Sequence, residues 1–88
     1  MKIFKTGRIV TTPSVAENIA PEDIISLIKR HKSGDWGKLC NKDCHQNNKS
    51  IKGGGRIISK YLSSADESLY VITEADRSVT TVLYCDEY

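Results

Sequence analysis

The chain reads as an α+β domain of order β-α-α-β-β-β, with two helices packed on a mainly antiparallel four-stranded sheet. Three observations predict it. Residues 24–31 carry apolar side chains at helical spacing. The segments 56–63, 69–75 and 78–85 are rich in β-branched and aromatic residues and are joined by short connections. One more β-rich run, 3–12, precedes the helices. With 88 residues there is room for a single domain, 1–88, and a core one layer thick.

In chain order, IFKTGRIVTT at 3–12 alternates imperfectly and favours a strand. Gly7 in its middle signals a bulge or a close backbone approach. Pro13 ends the strand, and 13–20 reads as a connection. Pro21-Glu22-Asp23 then opens a helix, because proline at the first position gives up an N–H that has no partner there anyway. The two acids suit the positive end of the helix dipole. Ile19 and Ile24 stand where a hydrophobic staple needs them. Ile24, Ile25, Leu27, Ile28 and His31 make one stripe. Lys29, Arg30 and Lys32 suit the negative end, and Gly34 can end the helix in a left-handed conformation.

The turn Ser33-Gly34-Asp35-Trp36-Gly37 aims the only tryptophan either at the core between two helices, the favoured reading, or outward as a part-exposed binding anchor. Asn41 is a good N-cap for a second helix over 42–52, stopped by Gly53-Gly54-Gly55. Its apolar face is thin: Cys40, Cys44 and Ile51, with Leu39 as a further candidate. The glycine triplet lacks the pattern of a phosphate loop and follows a helix instead of a strand, so it reads as a turn. In the β-rich third, a connection as short as Asp76-Arg77 demands a hairpin. Alternation sets Leu69, Val71 and Thr73 on one face and Tyr70, Ile72 and Glu74 on the other. Both faces hold apolar residues, so one meets the helices and the other is partly covered.

Composition and charge narrow the function classes. Apolar residues are 39% and charged residues 27%, ordinary for a globular domain, which excludes collagen-like, coiled-coil and disordered chains. No apolar run approaches a membrane span, and MKIFKTGRIV lacks the apolar stretch of a signal peptide. The net charge of +2 hides an asymmetry. Residues 1–60 hold twelve Lys/Arg against five Asp/Glu, whereas 61–88 hold one against six. Either the basic part meets nucleic acid, with Lys29, Arg30, Lys32 and Lys38 as the patch, or the halves neutralise each other on folding. The scatter of the basic residues favours the second.

Three cysteines, Cys40, Cys44 and Cys85, are an odd number, which suits reduced thiols in the cytoplasm. With His45 they offer the ligand count of a zinc site, but the C-x3-C spacing suits packing on a helix face better. No metal and no cofactor are expected. His31, at the end of its stripe, reads as a satisfied core histidine. Glu74 and Asp76 beside Arg77 read as a surface ion pair. No catalytic residues are assigned.

Two stretches carry a resemblance: TGRIVTTP at 6–13 with SGDWG at 33–37, and ITEADRSVTTVLYCDEY at 72–88. The chain resembles a family of short bacterial proteins encoded on plasmids and other mobile elements, including conjugative transposons. The resemblance implies a cytoplasmic protein linked to such elements and supplies no catalytic residues. In topology alone, the chain is similar to the RelE/ParE toxins, which cut messenger RNA or poison gyrase. That likeness implies an active face on which Arg56, Lys60, Tyr61, Arg77 and Tyr84 are displayed; the acidic last third departs from it.

The reading that follows is a non-catalytic accessory or interaction protein. Its expected surface joins Asp35 and Trp36, the hairpin tip Asp76-Arg77-Ser78, and Tyr84 with the segment to Tyr88, since binding residues concentrate on loops. A protein partner is favoured over nucleic acid, with no membrane partner. An unpaired edge strand would allow a weak homodimer beside the monomer.

Overall fold

A computed structural model describes residues 4–88, so Ile3, the first residue of the strand expected over 3–12, lies outside the described residues. Within them the order is β1 (Arg8–Thr11), α1 (Pro13–Asn18), α2 (Pro21–Lys32), α3 (Asn41–Gly53), β2 (Ile57–Leu62), β3 (Ser68–Thr73), β4 (Val79–Tyr84) and a closing 3-10 turn, Cys85–Glu87. The four strands form one sheet ordered β1-β4-β3-β2. β1 runs parallel to β4, and the other two pairings are antiparallel. The α+β class and the mainly antiparallel sheet stand as predicted. No helix among the described residues is long and apolar enough to cross a membrane.

Two expectations need correction. The first strand is confined to four residues, because Gly7 has a φ of 62° and breaks the extended run. Gly7 passes against the backbone of Arg77 and Ser78, where a β-carbon would collide, so the close approach expected there is what the glycine permits. The connection over 13–20 contains a helix. Thr12 caps α1 by accepting from the Val15 N–H at 3.4 Å, and Pro13 takes the first turn. Six residues are enough to drive Val15 into the core, where it is fully buried. Burial of a valine contributes about 1.5–3 kcal/mol, ample for so short an element.

α1 and α2 cover one face of the sheet. Their Val15, Ile19, Leu27 and Ile28 meet Tyr61, Leu69, Val71 and Val82, with Ile24 and Tyr84 packed at the margin. This is the face that alternation assigned to Leu69, Val71 and Thr73. α2 spans the predicted residues, ending at Lys32 with Ser33 as its cap before Gly34 takes a φ of 87°. α3 begins one residue earlier than expected, with Cys40 at its cap and Asn41 inside.

The placement of α3 differs from a simple two-helix layer. It lies against β2, the edge strand, and presents Asn47 to it. The Asn47 amide donates to the Ile58 carbonyl at 2.7 Å, and its oxygen accepts from the Ile58 N–H at 3.0 Å. A side chain thereby replaces the missing neighbouring strand. Two residues further on, the Lys38 N–H donates to the Lys60 carbonyl and the Lys60 N–H donates to Trp36, so Gly37 makes a parallel bridge. Of the sheet's two edges, the one at β2 is therefore occupied at Ile58 and Lys60 by the chain itself.

Candidate functional site

The most chemically suggestive cluster lies inside the helix-facing core. His31 is fully buried between Ser59 and Thr73. Its Nδ1 stands 2.5 Å from the Ser59 hydroxyl and its Nε2 2.9 Å from that of Thr73. Thr73 meets Thr80 at 2.6 Å, and the Thr80 hydroxyl donates to the Thr6 carbonyl at 2.7 Å. That last carbonyl accepts only, which fixes every proton upstream. Thr80 donates to Thr6, so Thr73 donates to Thr80, and the His31 Nε2–H donates to Thr73. Nδ1 is then unprotonated and accepts from Ser59. The histidine is neutral, and burial alone lowers its pKa to about 4.

A Ser–His pair invites a nucleophilic reading. Here Ser59 and His31 are both 0% exposed and every hydroxyl in the chain already has its partner. Around the ring stand Phe4, 5.1 Å away edge-on, and Trp36 at 6.0 Å. No substrate reaches this serine. His31 is the satisfied core histidine that its place in the stripe implied.

The surface expected around the hairpin tip does not assemble. Asp76-Arg77-Ser78 precedes β4 and Tyr84 ends it. Six residues of strand at about 3.3 Å each separate Ser78 from Tyr84 by about 20 Å. Trp36 is 8% exposed and faces Phe4 and His31, in line with its reading as a core residue, so it takes no part in that surface. Asp35 holds its own turn. It pairs with Arg30 at 2.7 Å and accepts from the Gly37 N–H, and the Arg30 contact first of all keeps its carboxyl below the usual range. Asp76 is likewise engaged locally, accepting from the hydroxyl and N–H of Ser78, which hold its carboxyl low.

Arg77 is a clamp. Its guanidinium donates to the carbonyls of Gly55 at 2.6 Å, Glu74 at 3.1 Å and Ala75 at 3.2 Å, and to Ser50 of α3 at 2.8 Å. The expected ion pair with the neighbouring acids is absent; Glu74 turns to Arg56 at 3.6 Å instead. Arg77 also holds a φ of 62°, a conformation unfavourable to any side chain with a β-carbon. Arg77→Ala keeps that strain and loses the clamp, so it should lower stability by about 2 kcal/mol. Arg77→Gly relieves the strain and should recover about 1 kcal/mol of the loss, read from urea midpoints. Equal midpoints for wild type and Arg77→Ala would refute the clamp.

The basic patch is reduced in the same way. Arg30 is committed to Asp35, and its guanidinium lies 4.5 Å above the Tyr61 ring. Lys29 and Lys38 are exposed and Lys32 half-buried. Tyr61 is 1% exposed and turned to the core, its hydroxyl bonded to the Asp35 carbonyl at 2.6 Å. Tyr84 packs at the core margin. Arg56, Lys60, Tyr61, Arg77 and Tyr84 thus share no face, since alternation alone sends Lys60 and Tyr61 to opposite sides. Among the described residues no three His, Cys, Asp or Glu side chains gather where they could hold a metal ion. Cys40 donates to Asp43 and Cys44 to the Leu39 carbonyl, while burial pushes the Cys85 thiol up.

An accessible site lies on the other side of the sheet. A cleft of about 150 Å³ opens between α3 and the outer face, floored by Ile58 and Ile72 and walled by Leu39 and Tyr70. Arg56 and Tyr88 stand at its mouth, joined by a 2.9 Å hydrogen bond from the guanidinium to the phenol. The Tyr88 ring meets Tyr70 edge-on at 5.6 Å. The C-terminal turn is fixed by Glu87, which accepts from the Tyr84 N–H and from the hydroxyls of Thr12 and Ser14. These bonds, the Tyr84 N–H first, hold its carboxyl below the usual range. Leu39 and Asn47 carried no sequence signal for a site. The outward phase of Ile58, Tyr70 and Ile72 was the clue available.

No family model, curated protein or solved structure matches the chain.

Proposed function

We propose that the chain is a non-catalytic interaction protein that engages a protein partner through the outer cleft. Following the resemblance of its two motifs, it serves as a cytoplasmic accessory protein of a mobile element. The observation that carries the reading is the coincidence at one concave place of Arg56, Tyr70 and Tyr88 over an apolar floor. Arginine and tyrosine are enriched where proteins bind each other, because each combines contact area with a polar head. The side chains suited to chemistry are differently disposed: His31 and Ser59 are sealed in the core.

Arg56 is 44% exposed, so its replacement should leave the fold intact. Affinity capture from the native host, with and without nuclease, tests the proposal. We expect a protein captured in both conditions and lost with Arg56→Glu. Capture abolished by nuclease, or DNA binding at about 150 mM salt that vanishes when Lys29 and Lys32 are reversed, would instead favour the basic patch.

A further inference from the structure

α3 is attached to the fold differently from α1 and α2. Its two buried side chains, Asn47 and Ser50, are both polar, and none of its residues joins the apolar core cluster. α1 and α2 are held by Val15, Leu27 and Ile28. α3 is held by two polar clamps. One is the paired hydrogen bond between the Asn47 amide and the Ile58 backbone. The other is Arg77, which grips the Ser50 carbonyl in the last turn and the Gly55 carbonyl just beyond it. Ile51 and Cys44 are half-buried and add partial apolar cover.

Net hydrogen bonds contribute far less than apolar burial of a whole helix face. A thirteen-residue helix is marginal alone in water, and Asn47 and Asn48 weaken this one further. Once both clamps release, little keeps α3 helical or in place. The apolar cluster that joins the sheet to the other two helices contains no α3 residue and is left whole by its departure.

We propose that α3 opens as a unit while the sheet, α1 and α2 stay folded, uncovering the edge of β2. Opening frees the N–H and carbonyl of Ile58 and removes Asp43, Gln46 and Asn47 from the wall of the outer cleft. The fold thus carries a removable cover over its most strand-like edge, and the cover is the polar side chain of Asn47 standing in for a strand.

Native-state amide hydrogen exchange of the full chain tests this. The informative amide is Ile58. It belongs to β2, but its only partner is Asn47 of α3. We expect the α3 amides and Ile58 to exchange together, at least about 100-fold faster than Val71 and Val82 in the central strands. Low urea should leave the α3 rates nearly flat while the central strands respond steeply, because opening α3 exposes little surface. Asn47→Ala should speed exchange in α3 about tenfold and leave Val71 and Val82 unchanged. Protection of α3 and Ile58 equal to that of Val71, or Ile58 tracking β3 instead of α3, would overturn the proposal. So would acceleration of all amides alike in Asn47→Ala. The urea dependence is read on the wild-type chain, so the outcome does not hang on that variant folding.

Discussion

Acidifying the protein from pH 7 to pH 4 should remove about 3 kcal/mol of stability through His31 alone. The native histidine is neutral, with a pKa lowered to about 4, against 6.5 for an ordinary side chain. Between those values the unfolded chain takes up a proton that the native state refuses. Stability is therefore complete above about pH 6.5 and is lost as the pH falls towards 4. The cause is geometric. Protonation would place a hydrogen on Nδ1, where the Ser59 hydroxyl now donates, and would leave a charge among Phe4, Trp36 and the sheet. A domain of this size has about 5–15 kcal/mol in all, so the loss is readily measured. Urea unfolding at pH 7, 5.5 and 4.5 measures it. Carboxylates such as Asp35 and Glu87, whose pKa values are lowered, add a slope of their own at the acid end. His31→Gln separates the two, because an amide can accept from Ser59 and donate to Thr73 without titrating. The variant should be weaker at pH 7 and nearly flat between pH 6.5 and 5. Parallel profiles for the two proteins would remove His31 from the account.

What could be read in the sequence was what one periodicity or one turn controls. α2 announces itself by Pro21, two acids, an apolar stripe and Gly34, and all four act within the stretch 21–34. The β3–β4 hairpin is forced by chain length, and the inward phase of Leu69, Val71 and Thr73 follows from a period of two. α1 is too short for a stripe to show, yet Pro13 repeats the first-position proline that opened α2, and Thr12 adds a side-chain cap that Ala20 does not supply there. The edge role of α3 left no pattern. Nothing in the string CHQNN says that Asn47 will meet a backbone eleven residues later, because the partner is a strand's unpaired edge and not a residue type. Arg77 and Asp35 misled in the opposite direction. Charged residues at a turn look free for a partner, and here the chain's own carbonyls and Arg30 take them. The outer cleft was hidden for a topological reason, since it needs the last residue, Tyr88, laid back over the third strand.

Trp36→Ala should cost about 3–5 kcal/mol, a large share of the roughly 5–15 kcal/mol available to the domain at pH 7. Trp36 is 8% exposed, and its ring stands 6.1 Å from Phe4 and 6.0 Å from His31. Its backbone also carries β2, since its carbonyl accepts from the Lys60 N–H at 3.1 Å. Gly37 must follow directly, because a β-carbon there would collide with the Lys60 carbonyl and the Tyr61 ring. The indole therefore roofs the end of the polar chain through His31, on a turn that cannot shift to close the gap. Its loss leaves a cavity beside an imidazole that depends on dryness. Water entering that cavity would hydrate His31 and raise its pKa towards the ordinary value. The two effects are thus coupled: any folded fraction of Trp36→Ala should show a flatter acid profile than the wild type. Trp36→Phe keeps a ring and should retain both the fold and the steep profile at a smaller cost. Native fluorescence should be blue-shifted and resistant to quenchers, turning red on unfolding. A red, readily quenched native emission with a nearly neutral alanine variant would place Trp36 at the surface and leave His31 without its roof.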